Sequence, residues 1–466
     1  MRRLIMFGSL ILLLATTVVG SAQEERTVGT LFGNHEGYTL YRTPAYPAVF
    51  LINDAGEIVH QWETSDVGRD AFLMPDGTLM YSAARQGNRD DIFGERLPWL
   101  NVDGRFEAVT WDGDLLWSYE FEAPGERVHH GFTPRPDGNI LFMTYQQIDT
   151  ETAVAAGRNP ELLTDDLGIW TDVIYEYDPA LDEIVWEWHA WDHLVQDVDP
   201  DAPNFGDPLD FPGRIDLNYT TNAGLYFDWL HSNSVAYNAD LDQIIVSVPI
   251  FGEVWVIDRD TTTEEAAGPA GDLLYRWGNP EAYNAGIDLQ TKLYWQHDAQ
   301  WIPEGMPGAG NILVFDNRNP VIVPSRFSQV IEFTPPLLED GTYEHVPGTA
   351  YGPENFTWLY TATPPEAFYS ALISGTQRLP NGNTLIIEGT KAHMFEVTPE
   401  GETVWSYYAP FNGDRIVPQG EENDTVIFRA RRYQPDYPAF DGRDLTPGDT
   451  IESMGVPAPA TEEASE

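Results

Sequence analysis

LPNGNTLIIEGTKAHMFEVTPEGETVWSYY, residues 379–408, holds most of one structural repeat. Asn381-Gly382, flanked by apolar residues, tolerates the positive φ of a tight hairpin turn. A strand-like run leaves that turn, HMFEV follows, and a final run closes on Trp405. Both halves recur. The hairpin returns as MPDGTLMY (74–81), RPDGNILF (135–142), YNADLDQIIVS (237–247) and PEGMPGAGNILVF (303–315). The closing run returns as EIVHQW (57–62), GDLLW (113–117), DEIVWEW (182–188), DLLYRW (272–277) and FTWLY (356–360). Further strands lie between them, as in VWVIDRD (254–260) and FSQVIEFTP (327–335). Each repeat therefore carries about four antiparallel strands, the unit of a propeller blade.

The two ends complete the count. TLYRTPAYPAVFLINDAGEIVHQW (39–62) supplies outer strands without an opening hairpin, and ENDTVIFRARRY (422–433) supplies a strand without a closing Trp. Joined, they make one composite blade. The expectation is an all-β fold, a six-bladed β-propeller closed by N-terminal and C-terminal strands sharing one blade. Closure removes the sheet edges that invite aggregation. Residues 151–166 read as a short helix within an insertion, and the propeller is expected over 23–440, with 441–466 a disordered acidic tail.

Six residues before each hairpin apex stand Arg69, His130, His231, His297 and Ser374. Equivalent positions of innermost strands encircle one mouth of an axial channel, so this phasing gathers three histidines and an arginine. His129 is expected to point away from the channel, since neighbours on a strand alternate. Arg318 and Arg326 follow the strand after His297, where a loop can fold over the mouth and offer a guanidinium fork to an oxyanion. His189 and His193 are four apart, but no third ligand accompanies them, and no metal site is expected. Several imidazoles with Arg suit transfer of an anionic group: one attacks sulfur or phosphorus, another removes a proton, and Arg neutralises non-bridging oxygens. A non-catalytic ligand-binding propeller and a sulfate or phosphate ester hydrolase are the alternatives.

The 466 residues include 25 Lys+Arg and 74 Asp+Glu, a formal net charge of −49. That balance disfavours nucleic acid and anionic membranes as partners. Hydrophobic residues make up 42%, enough for a large core. With no cysteine, disulfides, thiolate metal sites and cysteine nucleophiles are excluded. Residues 1–22, MRRLIMFGSLILLLATTVVGSA, have the basic start, short apolar run and small residues of a secretory signal, so the expected location is periplasmic or extracellular. No transmembrane segment is expected in the mature chain, and the oligomeric state is left open.

Several stretches resemble the bacterial arylsulfate sulfotransferases that work without 3′-phosphoadenylyl sulfate. They are GYTLYRTPAYPAVFLINDAGEIVHQW (37–62), DWLHSNSVAYNADLDQIIVS (228–247), QHDAQWIPEGMPGAGNILVFDNR (296–318), SRFSQVIEF (325–333) and LPNGNTLIIEG (379–389). The resemblance implies an exported six-bladed propeller that moves sulfate from a phenolic ester to a phenol through a sulfohistidine. It implies a small aromatic sulfate donor, a phenolic acceptor and no dissociable cofactor. Residue by residue, His231 matches the His of the family's DW-x-H-x-N motif, His297 the His before the FDN strand, and Arg318 the Arg after it, with Arg326 a rival. Asn233 and Asn317 become supporting polar groups. The sulfated histidine corresponds to 369–374, which holds no His here, leaving His393, His297 and His231 as alternatives.

Overall fold

Each hairpin turn read from the sequence joins the two inner strands of a sheet, and each Trp-ended run forms its outermost strand. The computed structural model describes residues 37–44, 46–84, 104–163, 168–220, 227–318, 326–412, 415–419 and 425–454. The expected export segment at 1–22 and the far tail at 455–466 lie outside them. Six four-stranded antiparallel sheets follow one another as blades. Blades 1 to 5 open on innermost strands Ala71–Leu73, Glu126–Pro134, Ser234–Asn238, His297–Trp301 and Gly375–Arg378. They close on outermost strands Leu115–Glu120, Glu183–His189, Tyr275–Trp277, Trp358–Tyr360 and Thr403–Tyr408.

Blade 6 is composite. Its innermost strand, Ala430–Tyr433, pairs antiparallel with Tyr38–Thr43, placing Tyr38 opposite Tyr433 and Tyr41 opposite Ala430. Tyr46–Ile52 and Ile58–Glu63 complete it.

Apolar residues fill the space between consecutive blades. Six such cores exist among the described residues, one for each neighbouring pair around the ring. The closing tryptophans explain their own recurrence, because each indole reaches into the next blade. Nε1–H of Trp188 donates to Gly271 O, of Trp277 to Pro353 O, of Trp358 to Pro399 O and of Trp405 to Asp54 O, all at 2.8–3.0 Å. Trp62 instead packs edge-on against Trp111 at 5.2 Å, and Trp117 lies 6.1 Å from Tyr177. A side chain that fills an interblade core and satisfies a neighbour's carbonyl combines apolar burial with a directional bond.

The short helix Thr150–Ala155 lies in the expected insertion, capped by the Asp149 side chain. The expected disordered tail is corrected over 441–454. Ile58 N–H donates to Asp449 O, Gly448 N–H to Ile58 O, and Ile451 is wholly buried between blades 5 and 6. An apolar anchor within an otherwise polar tail supplies the burial that offsets ordering entropy. No helix among the described residues is long and apolar enough to cross a membrane.

Candidate functional site

The innermost strands begin with unusual backbone. His130 (φ 56°), His231 (φ 55°), Asp298 (φ 57°), Ile373 (φ 50°) and Ser374 (φ 96°) all occupy the left-handed region, as does Gly131 (φ 98°). Bulges interrupt pairing between His129 and Phe132 and between His297 and Gln300. Such conformations are costly for residues with a Cβ and persist where the surroundings over-determine them. They turn the side chains of successive blades toward one another.

His130 and His231 meet edge to face, ring centroids 4.8 Å apart. His231 Nδ1 lies 2.5 Å from Asp228 Oδ2 and 2.9 Å from Tyr145 Oη. Burial pushes this imidazole's pKa down, but the charge and hydrogen bond of Asp228, with the charge of Asp172, prevail and raise it above its ordinary value. His130 goes the other way. Burial, then the charges of His231, His129, Arg69 and His297, hold it well below the ordinary histidine range. The sequence expectation for His129 fails because the bulge breaks strand alternation: its Nδ1 lies 2.7 Å from His130 Nδ1. His129 is wholly buried, stacks on Tyr145 at 3.9 Å, and places Nε2 3.4 Å from Asp172 Oδ1.

His297 is locked by the protein itself. Asn317 Nδ2 donates to the carbonyls of Ser370 and Ile373, leaving its Oδ1 to accept from His297 Nδ1–H at 2.7 Å. The Ile373 N–H donates to His297 Nε2 at 3.2 Å. Burial, then the nearby Arg429 charge, bring its pKa down to about 3. His297 and Asn317 thus hold the loop where the family's sulfated histidine was expected. Asn233 acts similarly, Nδ2 donating to Gln296 O at 2.8 Å.

The remaining expected residues are spread more widely. Ser374 directs its hydroxyl to Ser370 Oγ and Leu372 O, so it meets the channel through its carbonyl rather than its side chain. Arg318 packs over Tyr294 (5.2 Å) and Phe327 (4.8 Å), with Asp316 3.6 Å away. Arg326 is exposed. His393 stands on the third strand of blade 5, where Glu388 (3.1 Å) and Ser406 (2.9 Å) occupy both ring nitrogens and Tyr408 stacks on it at 4.1 Å. It takes no part in the imidazole group. Arg69 stays with that group, over Phe428 at 5.5 Å. His193 bonds Asp272 at 2.9 Å and stacks on Trp188, a packing role rather than a metal pair with His189.

Sequence phasing missed Arg429. It precedes the innermost strand of blade 6 and reaches Asp298 (2.9 Å), Ser374 O (2.6 Å) and Asn233 O (3.4 Å), joining blades 3, 4, 5 and 6. Beside it Arg431 pairs with Asp70 and covers Phe72 at 3.4 Å. The alternation in FRARRY of 428–433 was the available signal, since it sets Arg429 and Arg431 on one face of the strand and Phe428, Ala430 and Arg432 on the other. Arg429, Arg431 and His130 line a cavity of about 270 Å³, together with Tyr237, Trp301, Met306 and Arg378.

The chemistry available is therefore two imidazoles in contact, His231 backed by the buried Asp228 and His130 by His129, which has Asp172 beyond it, with a guanidinium alongside. Among solved structures, the fold is similar to a protein of unknown function from Bacteroides caccae (13% identity, 80% of this chain and 94% of that chain, TM-score 0.42). It is also similar to a streptogramin B lyase (10% identity, 84% and 86%, TM-score 0.39) and to the Dos1 propeller (9% identity, 83% and 75%, TM-score 0.32). Comparison with curated proteins gives no match. The family profile described as Arylsulfotransferase (ASST) matches residues 34–334, from the composite blade to the third strand of blade 4, and takes in His130, His231, His297 and Arg318. The chain belongs to the arylsulfotransferase family.

Proposed function

We propose that this arylsulfotransferase moves a sulfuryl group from a phenolic sulfate ester to a phenol, through a sulfohistidine, at the mouth formed by His130, His231 and Arg69, and that it does so outside the cytoplasm. The observation that carries the reading is the contact of His130 with His231, two imidazoles held in opposite protonation tendencies. One ring suited to remain neutral and one suited to hold a proton are what the two half-reactions require. In the first, an imidazole displaces the donor phenolate from sulfur and a protonated neighbour supplies the departing oxygen with a proton. In the second, that neighbour takes the proton of the acceptor phenol, whose oxygen then displaces the imidazole. Asp228 fixes His231 Nδ1 as the donor side, so Nε2 is the nitrogen that exchanges protons. The Arg69 charge offsets the sulfuryl oxygens. Phe428, under Arg69, and Trp295, 5.6 Å from His231, offer ring faces to an aryl group. The location rests on the signal-like segment at 1–22.

The test is incubation with 4-nitrophenyl sulfate, with and without added phenol. Phenol-dependent nitrophenol release is expected. Release independent of phenol would make the protein a hydrolase, and no release from folded protein would make it a binding propeller.

A further inference from the structure

The nitrogen–nitrogen contact between His129 and His130 constrains where protons sit. At 2.7 Å, the two Nδ1 atoms share one hydrogen, so one ring donates and the other accepts. His129 Nε2 faces Asp172 Oδ1 at 3.4 Å, and neither atom has a hydrogen-bond partner among the described residues. Both are buried, which makes a lone pair directed at the carboxylate costly and an N–H directed at it favourable. His129 therefore carries its hydrogen on Nε2 and accepts at Nδ1. His130 must then donate from Nδ1, which leaves its lone pair on Nε2. Asp172 is itself held, accepting the Ser232 N–H through Oδ2 at 2.8 Å. Of the other imidazoles at the mouth, His297 already accepts a backbone N–H at Nε2.

We propose that His130 is the imidazole that carries the sulfuryl group, with His129 and Asp172 behind it as a proton-holding pair. This rests on the sulfotransferase reading above. His130 Nε2 attacks sulfur, the N–S bond forms, and the S–O bond to the aryl group breaks. The departing phenolate takes a proton from His231. The hydrogen on His130 Nδ1 passes to His129 Nδ1, so the sulfated ring stays formally neutral apart from its sulfonate. The positive charge rests on His129 beside Asp172. When an acceptor phenol oxygen displaces Nε2, the N–S bond breaks, the hydrogen returns from His129 to His130, and His231 takes the phenol proton. His130 is in this scheme the catalytic residue; His129 and Asp172 are positioning residues that also store one proton. The role fits a ring that burial and neighbouring charges keep unprotonated.

The decisive measurement is neutral-pH peptide mapping of the wild-type protein after 4-nitrophenyl sulfate alone. An added mass of ~80 Da is expected on His130 and on no other histidine. A label on His231, His297 or His393 overturns this assignment and leaves the transfer reading standing. Phenol-dependent release without any label overturns the covalent step and this assignment together. Neither label nor release overturns both proposals. His130→Asn, whose side chain tolerates the left-handed backbone, should keep the circular dichroism and melting temperature while abolishing the label. His129→Phe keeps the stack on Tyr145 but removes the proton acceptor, and should slow labelling about 10²-fold with donor KM little changed. His129→Gln, whose amide oxygen can accept from His130 Nδ1–H, should recover part of that loss. A purely packing role predicts the reverse ranking, with Phe the better substitute, and that ranking would overturn the relay.

Discussion

The carboxylate of Asp228 sets how His231 behaves, because burial alone would drive that ring to its neutral form. Raised above the ordinary value, the imidazole is protonated on the acid side of neutrality and becomes a competent base only as pH rises through its pKa. The acceptor half-reaction should therefore climb with pH across that limb. In Asp228→Asn burial dominates, the limb moves to lower pH, and the plateau of kcat/KM for phenol falls about 10²–10⁴-fold; rate–pH profiles of the two proteins check both effects. His297 makes the complementary case for stability. Its folded pKa is depressed to about 3 from an ordinary 6.5, so the unfolded chain binds more protons between those values. The stabilisation it contributes is complete above pH 6.5 and drains away as pH falls toward 3, on the order of 3 kcal/mol by pH 4. His297→Asn lacks this titration, so urea midpoints of wild type and variant should converge as pH is lowered from 7 to 4. Both histidines were legible in the sequence, since blade phasing carries a strand-start position from one repeat to the next. Asn317, the partner of His297, was legible too, whereas Tyr145 and Asp172 were not. Asp172 comes from the third strand and Tyr145 from the second strand of the blade that His129 opens, so sheet pairing sets them beside His129, and packing of the next blade sets Tyr145 beside His231.

The blade is the unit in which pattern and energy coincide. A hairpin turn of Asp-Gly or Asn-Gly fixes the inner register, and a tryptophan on the outer strand ties one blade to the next. Trp405 shows the coupling: 1% exposed, it donates to Asp54 O across the boundary between blades 5 and 6 and lies under the Arg432 guanidinium at 4.4 Å. Trp405→Ala should cost about 3–5 kcal/mol, with Trp405→Phe closer to 1–3 kcal/mol because ring burial remains while a buried carbonyl loses its donor. Denaturant unfolding measures both. What strand periodicity concealed was the bulge. Regular alternation places His129 and His130 on opposite faces, whereas the positive φ of His130 and Gly131 turns both rings into one network. Local strain of this kind is set by long-range packing, and a single sequence carries little trace of it.

At the scale of the molecule the ring count was readable from six closing tryptophans, five hairpins and two incomplete ends. The packing of the segment beyond Asp441 was not, because its composition is polar and its apolar contacts come from isolated residues, Leu445 and Ile451. Ile451 is wholly buried between blades 5 and 6, and Arg443 covers Trp111 at 5.2 Å. Truncation after Asp441 should therefore lower stability by about 1.5–3 kcal/mol from Ile451 alone, seen as a reduced urea midpoint; a passive tail would leave the midpoint unchanged. The composite blade also imposes an order in time. Tyr38–Thr43 is among the first strands synthesised and Ala430–Tyr433 the last of the blades. At ribosomal speed the interval is on the order of tens of seconds, during which the early strand waits with one edge unmatched. Arg429, the clasp between blades 3, 4, 5 and 6, arrives with that final strand. The mouth is thus absent from every nascent chain, and its appearance marks the moment at which the last blade is finished.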